Sequence, residues 1–140
     1  GNSSMTFIGA QVSLTVSSDQ RDKTDITDFT PGLSWINKLR PVTYYWDQRS
    51  DYSDDLSVVP DGTHKKSKLN LGFIAQESLE VEKDHGYGSD RDHMLVTNLS
   101  EDGNKYSMTY ERLVPVLVNA IKELSTKNDA LEARIKTLEG

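Results

Sequence analysis

Residues 114–138 read VPVLVNAIKELSTKNDALEARIKTL, and this stretch decides the fold of the C-terminal part of the chain. Apolar residues recur in it at alternating steps of three and four, and no glycine lies between Tyr110 and Gly140. A helix with this period carries one narrow apolar stripe, which is the seam of a left-handed coiled coil. In heptad notation, the seam has a residues Val114, Ile121, Asn128 and Ile135, and d residues Leu117, Leu124, Leu131 and Leu138.

Charges beside the seam predict the direction of the helices. Lys127 and Arg134 fall at g, and Glu132 and Glu139 fall at e. In a parallel bundle each g residue meets the e residue five positions on in the next helix, so opposite charges face each other. An antiparallel bundle would bring like charges together. The sequence therefore predicts a parallel arrangement, with Asn128 setting the register.

The number of helices in the bundle is open at this point. Isoleucine at a with leucine at d leans towards two strands by general rule. The other interpretation of the helix is an amphipathic one that lies on its own domain, which usually carries a wider apolar face than this stripe.

Upstream of the helix the pattern changes to short strands and loops. Strands are predicted at Val42–Trp46, Leu69–Ala75, Met94–Leu99 and Lys105–Met108, the last two joined by a turn at 101–104. A helix is predicted from Asp28 or Thr30 to Arg40, and a second one from Gln76. Residues 47–68 are predicted to form a loop or a solvated hairpin. The fold class is therefore α+β, with these excursions and a long C-terminal helix.

The first part of the chain alternates apolar and polar residues from Met5 to Val16, which predicts a strand. An isolated strand needs a sheet to join, so we assign it to the end of a larger β-structure upstream. The predicted organisation is an upstream segment at 1–17, an α+β domain at 18–112 and the coiled-coil helix at 113–140.

Composition excludes several classes of function. The chain has 140 residues, a formal net charge of -6 and no cysteine, which argues against a nucleic-acid partner and excludes disulfides and thiolate metal sites. No apolar run is long enough to span a membrane. His64, His85 and His93 lack metal-ligand spacing, and no glycine-rich phosphate loop is present. We therefore expect neither a metal nor a cofactor.

Residues 18–26 read SDQRDKTDI and carry the chemistry of interest. A serine becomes a nucleophile when a base takes its proton, and a lysine serves as that base when desolvation or neighbouring cations lower its pKa. Spacing alone does not distinguish such a pair from a solvated linker.

The order of segments resembles a known family. The run Ser-Asp-x-Arg-x-Lys-x-Asp-Ile resembles the self-cleavage motif of the C-terminal chaperone domains of phage tailspikes, tail fibres and neck appendages, the S74 endosialidase-type autopeptidases. Three further stretches fit that family in the same order, namely 39–46 (LRPVTYYW), 72–77 (GFIAQE) and 110–124 with its VPVLV start.

The resemblance implies a homotrimeric intramolecular chaperone at the end of a β-helical fibre or spike. It assembles in the host cytoplasm, aligns the upstream part of the same polypeptide and then releases itself by cutting its own chain. Carried over, the scissile bond joins Ser17 and Ser18, Ser18 is the nucleophile and Lys23 its base. Asp19 and Arg21 belong to the motif and are given orienting roles. Many members have alanine where Ser17 stands.

Two other functions are compatible with the same residues. One is an oligomerisation module in which Ser18 and Lys23 are inert. The other is a receptor-binding tip that stays on the virion.

Overall fold

Two small antiparallel sheets and three helices form the regular structure of residues 7–140, the part of the chain that the computed structural model describes. In chain order the elements are α1 (Leu33–Ile36), β1 (Val42–Tyr45), β2 (Leu69–Gly72), α2 (Ala75–Asp84), β3 (Thr97–Leu99), β4 (Tyr106–Met108) and α3 (Leu113–Glu139). The predicted mixed α+β class is confirmed.

Each sheet is a single antiparallel pair. β1 pairs with β2, with Val42 opposite Gly72 and Tyr45 opposite Leu69. β3 pairs with β4 through the predicted hairpin turn, in which Gly103 takes a φ of 75°. A left-handed backbone of this kind suits glycine, since it has no Cβ to clash. All four strands lie inside the predicted segments.

The excursion between β1 and β2 is a loop fastened by side chains. The carboxylate of Asp47 accepts hydrogen bonds from the Tyr52 hydroxyl at 2.6 Å and from the Gly62 N–H at 2.9 Å. The Tyr52 oxygen in turn accepts from the N–H of His64 at 3.0 Å. Of the two predicted alternatives, the loop is therefore correct, because no strand lies between Tyr45 and Leu69.

The core lies between α1, α2, β3 and the first half of α3. It is built from Trp35, Val81, Val96, Leu113 and Val116, all of which are buried. The indole of Trp35 is fully buried and packs edge-on against Phe29, with ring centroids 5.5 Å apart. Aromatic pairs in this geometry are favourable beyond the area they bury.

A buried carboxylate joins α2 to β3. Glu82 is fully buried, and its two oxygens accept hydrogen bonds from the backbone N–H groups of Leu95 and Thr97, the latter at 2.8 Å. Ser78, one turn earlier on α2, accepts a bond from the Thr97 hydroxyl at 3.1 Å. These contacts explain how two polar helix residues come to face the core.

Two predictions about local structure were wrong. Helix α1 covers only Leu33–Ile36 of the segment from Asp28 or Thr30 to Arg40, because the chain before it binds to α3 instead. Residues 7–16 form no strand, since no other part of the described chain pairs with them. Met5 and Thr6, the first residues of that predicted strand, lie outside the described residues, as do residues 1–4 of the upstream segment.

Candidate functional site

Ser18 and Lys23 lie in contact. One 3₁₀ turn, Gln20–Asp22, separates them and brings the chain back so that Lys23 Nζ donates to Ser18 Oγ at 2.7 Å. Asp19 starts this turn as its cap, because its side chain accepts the N–H of Arg21 at 2.9 Å. The turn thus places the predicted nucleophile and the predicted base within hydrogen-bond reach.

The other two motif residues form a bidentate ion pair. Arg21 Nε lies 3.1 Å from one oxygen of Asp19, and Arg21 Nη2 lies 2.8 Å from the other. The Arg21 hydrogen bonds hold the pKa of Asp19 below its usual range, and Asp19 raises the pKa of Arg21. Both side chains are solvent-exposed, so the pair contributes little to stability and instead fixes the shape of the turn.

The backbone just after the base adopts an unusual conformation. Asp25 has a φ of 52°, in the left-handed region, and its carbonyl accepts a hydrogen bond from the Thr27 hydroxyl at 3.3 Å. Aspartate and asparagine tolerate this region better than other residues with a side chain. The left-handed backbone therefore explains why an aspartate suits position 25 of the motif, which the spacing of the motif does not reveal.

The segment that follows is fastened to α3. Asn119 Nδ2 donates to the carbonyl oxygens of Phe29 at 2.8 Å and Pro31 at 3.0 Å, and Glu123 accepts the N–H of Leu33 at 3.2 Å. Gly32 lies so close to α3 that a Cβ would approach Ala120 N to 2.7 Å. The chain that carries Ser18 and Lys23 therefore leaves the domain beside the C-terminal helix.

Helix α3 has two separate apolar faces. Leu113, Val116 and Ala120 are buried against the domain, and with Asn119 and Glu123 they occupy the c, f and g positions. The apolar seam residues point elsewhere, with relative exposures from 44% at Leu117 to 84% at Leu138. From Leu124 to Glu139 every residue is exposed. The helix does lie on its own domain, but with a face other than the predicted seam, which stays uncovered in the single chain.

The three stretches that suggested the family contact one another. Arg40 forms a bidentate pair with Glu77, with Nη2–Oε2 and Nε–Oε1 distances of 2.6 and 3.0 Å. The Tyr110 hydroxyl accepts the N–H of Phe73 at 3.1 Å, and a Cβ at Gly72 would collide with it. The residue types at these positions are thus set by contacts between the stretches.

Sequence reasoning missed Glu82, Asn119 and Glu123. Each is a polar residue on a helix, which a hydrophobic pattern assigns to solvent. In α3, Asn119 at f and Glu123 at c lie beside the buried g residues. Their position is the only hint in the sequence that the domain covers this face of the helix.

Other classes of site find little support in the described residues. Within residues 7–140, no cluster of three histidine, aspartate or glutamate side chains is placed to hold a metal ion. No helix in that part of the chain has the length and apolarity needed to cross a membrane.

Comparison with known families identifies the first part of the domain. No curated protein matches the sequence. The model of the Peptidase S74 family, described as the chaperone of endosialidase, matches residues 18–87, so the match begins at Ser18. The matched range holds the Ser-Lys turn and the contact between Arg40 and Glu77. This chain therefore belongs to the Peptidase S74 family, the chaperones of endosialidase.

Proposed function

We propose that this chain is a C-terminal intramolecular chaperone that assembles as a homotrimer through α3 and then cuts its own Ser17–Ser18 bond. Membership of the chaperone family supports the general role. The observation that carries the cleavage is the 2.7 Å contact between Lys23 Nζ and Ser18 Oγ.

The uncovered seam supports the assembly. Its seven apolar residues are all exposed along a helix of 27 residues, a surface that a soluble chain covers with a partner. The occupant that fits is another copy of the helix, because Lys127 with Glu132 and Arg134 with Glu139 pair across a parallel interface. Asn128 then meets Asn128 in the partner, which fixes the register.

We propose three copies rather than two, although isoleucine at a with leucine at d leans towards two strands by general rule. Val118 at an e position is 44% exposed and widens the apolar face at the start of the seam. In a bundle of three, each helix contacts two neighbours, so more of its circumference is buried. Three is also the number that the resemblance to phage fibre and spike chaperone domains implies.

The proposed cleavage uses the side chains of Ser18 and Lys23. Neutral Lys23 takes the hydroxyl proton of Ser18, and Oγ attacks the carbonyl carbon of Ser17. The Ser17–Ser18 C–N bond breaks, the amine of Ser18 takes up the proton, and an ester joins Ser17 to Ser18 Oγ. Water then hydrolyses the ester, which leaves a carboxylate on Ser17 and a free amino group on Ser18.

Assembly controls this reaction in our proposal. In the single chain the pair is exposed and Lys23 donates to Ser18, which is the direction opposite to that of a base. Removal of water from around a lysine favours its neutral amine, the form that can act as a base. Because the segment leaves the domain beside α3, packing of neighbouring copies around that helix would remove water from it. Efficient cleavage in a dilute monomer would contradict this coupling.

The proposal also assigns partners and place. The partners are two further copies of this chain and the upstream β-helical region of the same polypeptide. The upstream part remains on a phage tail or appendage, and this domain is released in the host cytoplasm during virion assembly.

Intact mass after expression tests the cleavage. We expect a product that begins at Ser18 from the wild type, and an uncut chain from Ser18→Ala and from Lys23→Arg, which keeps a charge but cannot act as the base. The matched control is Ser17→Ala, which removes the neighbouring hydroxyl and should be cut. An uncut wild-type trimer would favour a non-catalytic assembly module.

A further inference from the structure

An open groove runs between the two sheets. It has a volume of about 720 Å³, and its lining is rich in large apolar and aromatic residues, among them Tyr44, Trp46, Phe73, Tyr106, Met108 and Tyr110. We call it the aromatic groove. Trp46, Tyr106 and Tyr110 are between 39% and 49% exposed, so their rings face a trough rather than a closed cavity. The cleavage mechanism uses none of these residues.

The groove lies between two free strand edges. β1 lines one side and β4 the other, while β2 and β3 occupy the far edges of their sheets. In residues 7–140, β1 and β4 have no strand partner on the groove side. A free edge presents unpaired backbone N–H and C=O groups, which readily accept a further strand.

The shape of the groove suits an extended chain. A second cavity of about 310 Å³ adjoins it and shares Trp46, Asp47, Gln76 and Tyr106. The two cavities therefore form one continuous open depression on the surface. A compact small molecule usually occupies an enclosed pocket, whereas a strand needs an open path with pockets for alternate side chains.

The chain itself carries a segment of the matching kind. Ile8, Ala10, Val12, Leu14 and Val16 alternate with small or polar residues, and residues 7–18 contain no charge. The large apolar side chains of residues 8–16 are between 69% and 87% exposed, and within residues 7–140 this segment pairs with no strand. Nine residues in a strand extend over about 30 Å. Residues 8–16 have the pattern of a strand but no sheet to join, and the aromatic groove has free strand edges but no added strand.

We propose that the aromatic groove of one copy binds residues 8–16 of a neighbouring copy as an added β-strand before cleavage. The inference rests on the proposed trimer, which brings a neighbouring copy within reach. The apolar residues of the strand contact the rings, and its backbone pairs with β1 or β4. The chaperone thereby holds the residues just before the scissile bond in a fixed position on the next chain.

Cleavage then releases the strand. While residue 17 is joined to residue 18, the segment stays at the high local concentration that a short tether gives. Cutting the bond removes the tether, so a weak strand–groove contact no longer persists. Cleavage of the bond between residues 17 and 18 therefore also ends the binding of the upstream segment to the groove.

Hydrogen exchange on the uncut Ser18→Ala chain tests the docking. We expect the amides of residues 8–16 to exchange at least about tenfold more slowly in the assembled trimer than in a free peptide of the same sequence. Val12→Asp with Leu14→Asp should abolish this protection. The matched control, Gln11→Asp with Ser13→Asp, adds the same charge to the opposite face of the strand and should keep it.

Cross-linking tests which copy supplies the strand. The chain has no cysteine, so Leu14→Cys and Ser107→Cys can be placed on separate chains and refolded together. A short bis-maleimide should then join the two chains, and the yield should fall with Val12→Asp. A link that forms only when both cysteines are on one chain would overturn the proposal.

Light scattering of the same samples separates the two proposals. A trimer whose residues 8–16 exchange freely overturns the groove inference and leaves the proposed function standing. A monomer contradicts the proposed function, and the inference fails with it.

Discussion

At the scale of the residue, Glu82 illustrates how a charged side chain can hold two elements together. It reaches from α2 to the start of β3 and satisfies the N–H groups of Leu95 and Thr97 in a site without water access. Buried backbone donors require a partner, and a carboxylate makes stronger hydrogen bonds than a neutral acceptor. The carboxylate therefore sets where β3 begins.

Replacing Glu82 should be costly. We expect Glu82→Ala to lower the free energy of unfolding by about 2–4 kcal/mol, because it leaves two buried N–H groups unpaired. Glu80→Ala, on the exposed side of the same helix, should cost less than about 0.5 kcal/mol. Urea unfolding of the Ser18→Ala chain at one fixed concentration measures both. Equal costs would show that the carboxylate does not hold β3.

A second residue-scale prediction concerns His93 and Asp90. Their side chains form a hydrogen bond of 2.6 Å, which raises the pKa of His93 and holds that of Asp90 low. The raised pKa means that the charged pair stabilises the fold fully below the ordinary histidine value, about 6.5, as long as Asp90 keeps its charge. That stability is lost as the pH rises through the raised pKa.

An NMR titration of the imidazole checks this pair. The pKa of His93 should lie above its ordinary value and return towards it in Asp90→Asn, which keeps a cap for the same turn. A value for His93 that Asp90→Asn leaves unchanged would contradict the contact.

At the scale of the element, α3 combines two tasks on separate faces. Its first half packs on the domain through Leu113, Val116 and Ala120, while the whole length presents the seam. Pro115 is tolerated because it lies in the first turn, where the backbone N–H has no partner within the helix. The domain and the trimer can therefore form without competing for one surface.

Seam residues should control the oligomeric state. Leu131→Asp places three unpaired carboxylates in the proposed interface, each costing several kcal/mol. We expect it to be a monomer in sedimentation at concentrations where Ala130→Asp, one position away at c, is still a trimer. Equal sedimentation of the two variants would show that the seam is not the interface.

The elements differ in how far the sequence predicts them. Strands β1 and β2, the β3–β4 hairpin and α3 follow from local periodicity and turn residues, so a pattern finds them. Helix α1 is shorter than its pattern because Asn119 and Glu123, nearly ninety residues away, bind the chain before it. For residues 7–16 the local pattern predicts a strand that does not form. A strand needs a partner strand, and a single chain does not provide one for this segment.

The candidate site was predictable only in part. The motif names Ser18 and Lys23, but their contact depends on the turn that Asp19 caps and Asp25 follows. The tether to α3 depends on Asn119, which no local pattern singles out. Chemistry-bearing residues can be found from the order of motifs, whereas the contacts that position them arise from the fold.

At the scale of the whole molecule, the arrangement predicts an order of events. In the single chain the seam is exposed and available for assembly, whereas the Ser-Lys pair is solvated. We therefore expect assembly to come first and cleavage second. The domain docks on the c, f and g side of α3, which leaves the a and d side free for two neighbours. If the copies are aligned at this end, their upstream regions start in a common register.

The native mass spectrum of the assembled wild-type protein tests the central claim most directly, because it reports cleavage and stoichiometry together. The account predicts a complex of three chains that each begin at Ser18. A complex of three intact chains, or cut chains that never exceed a monomer, would contradict it.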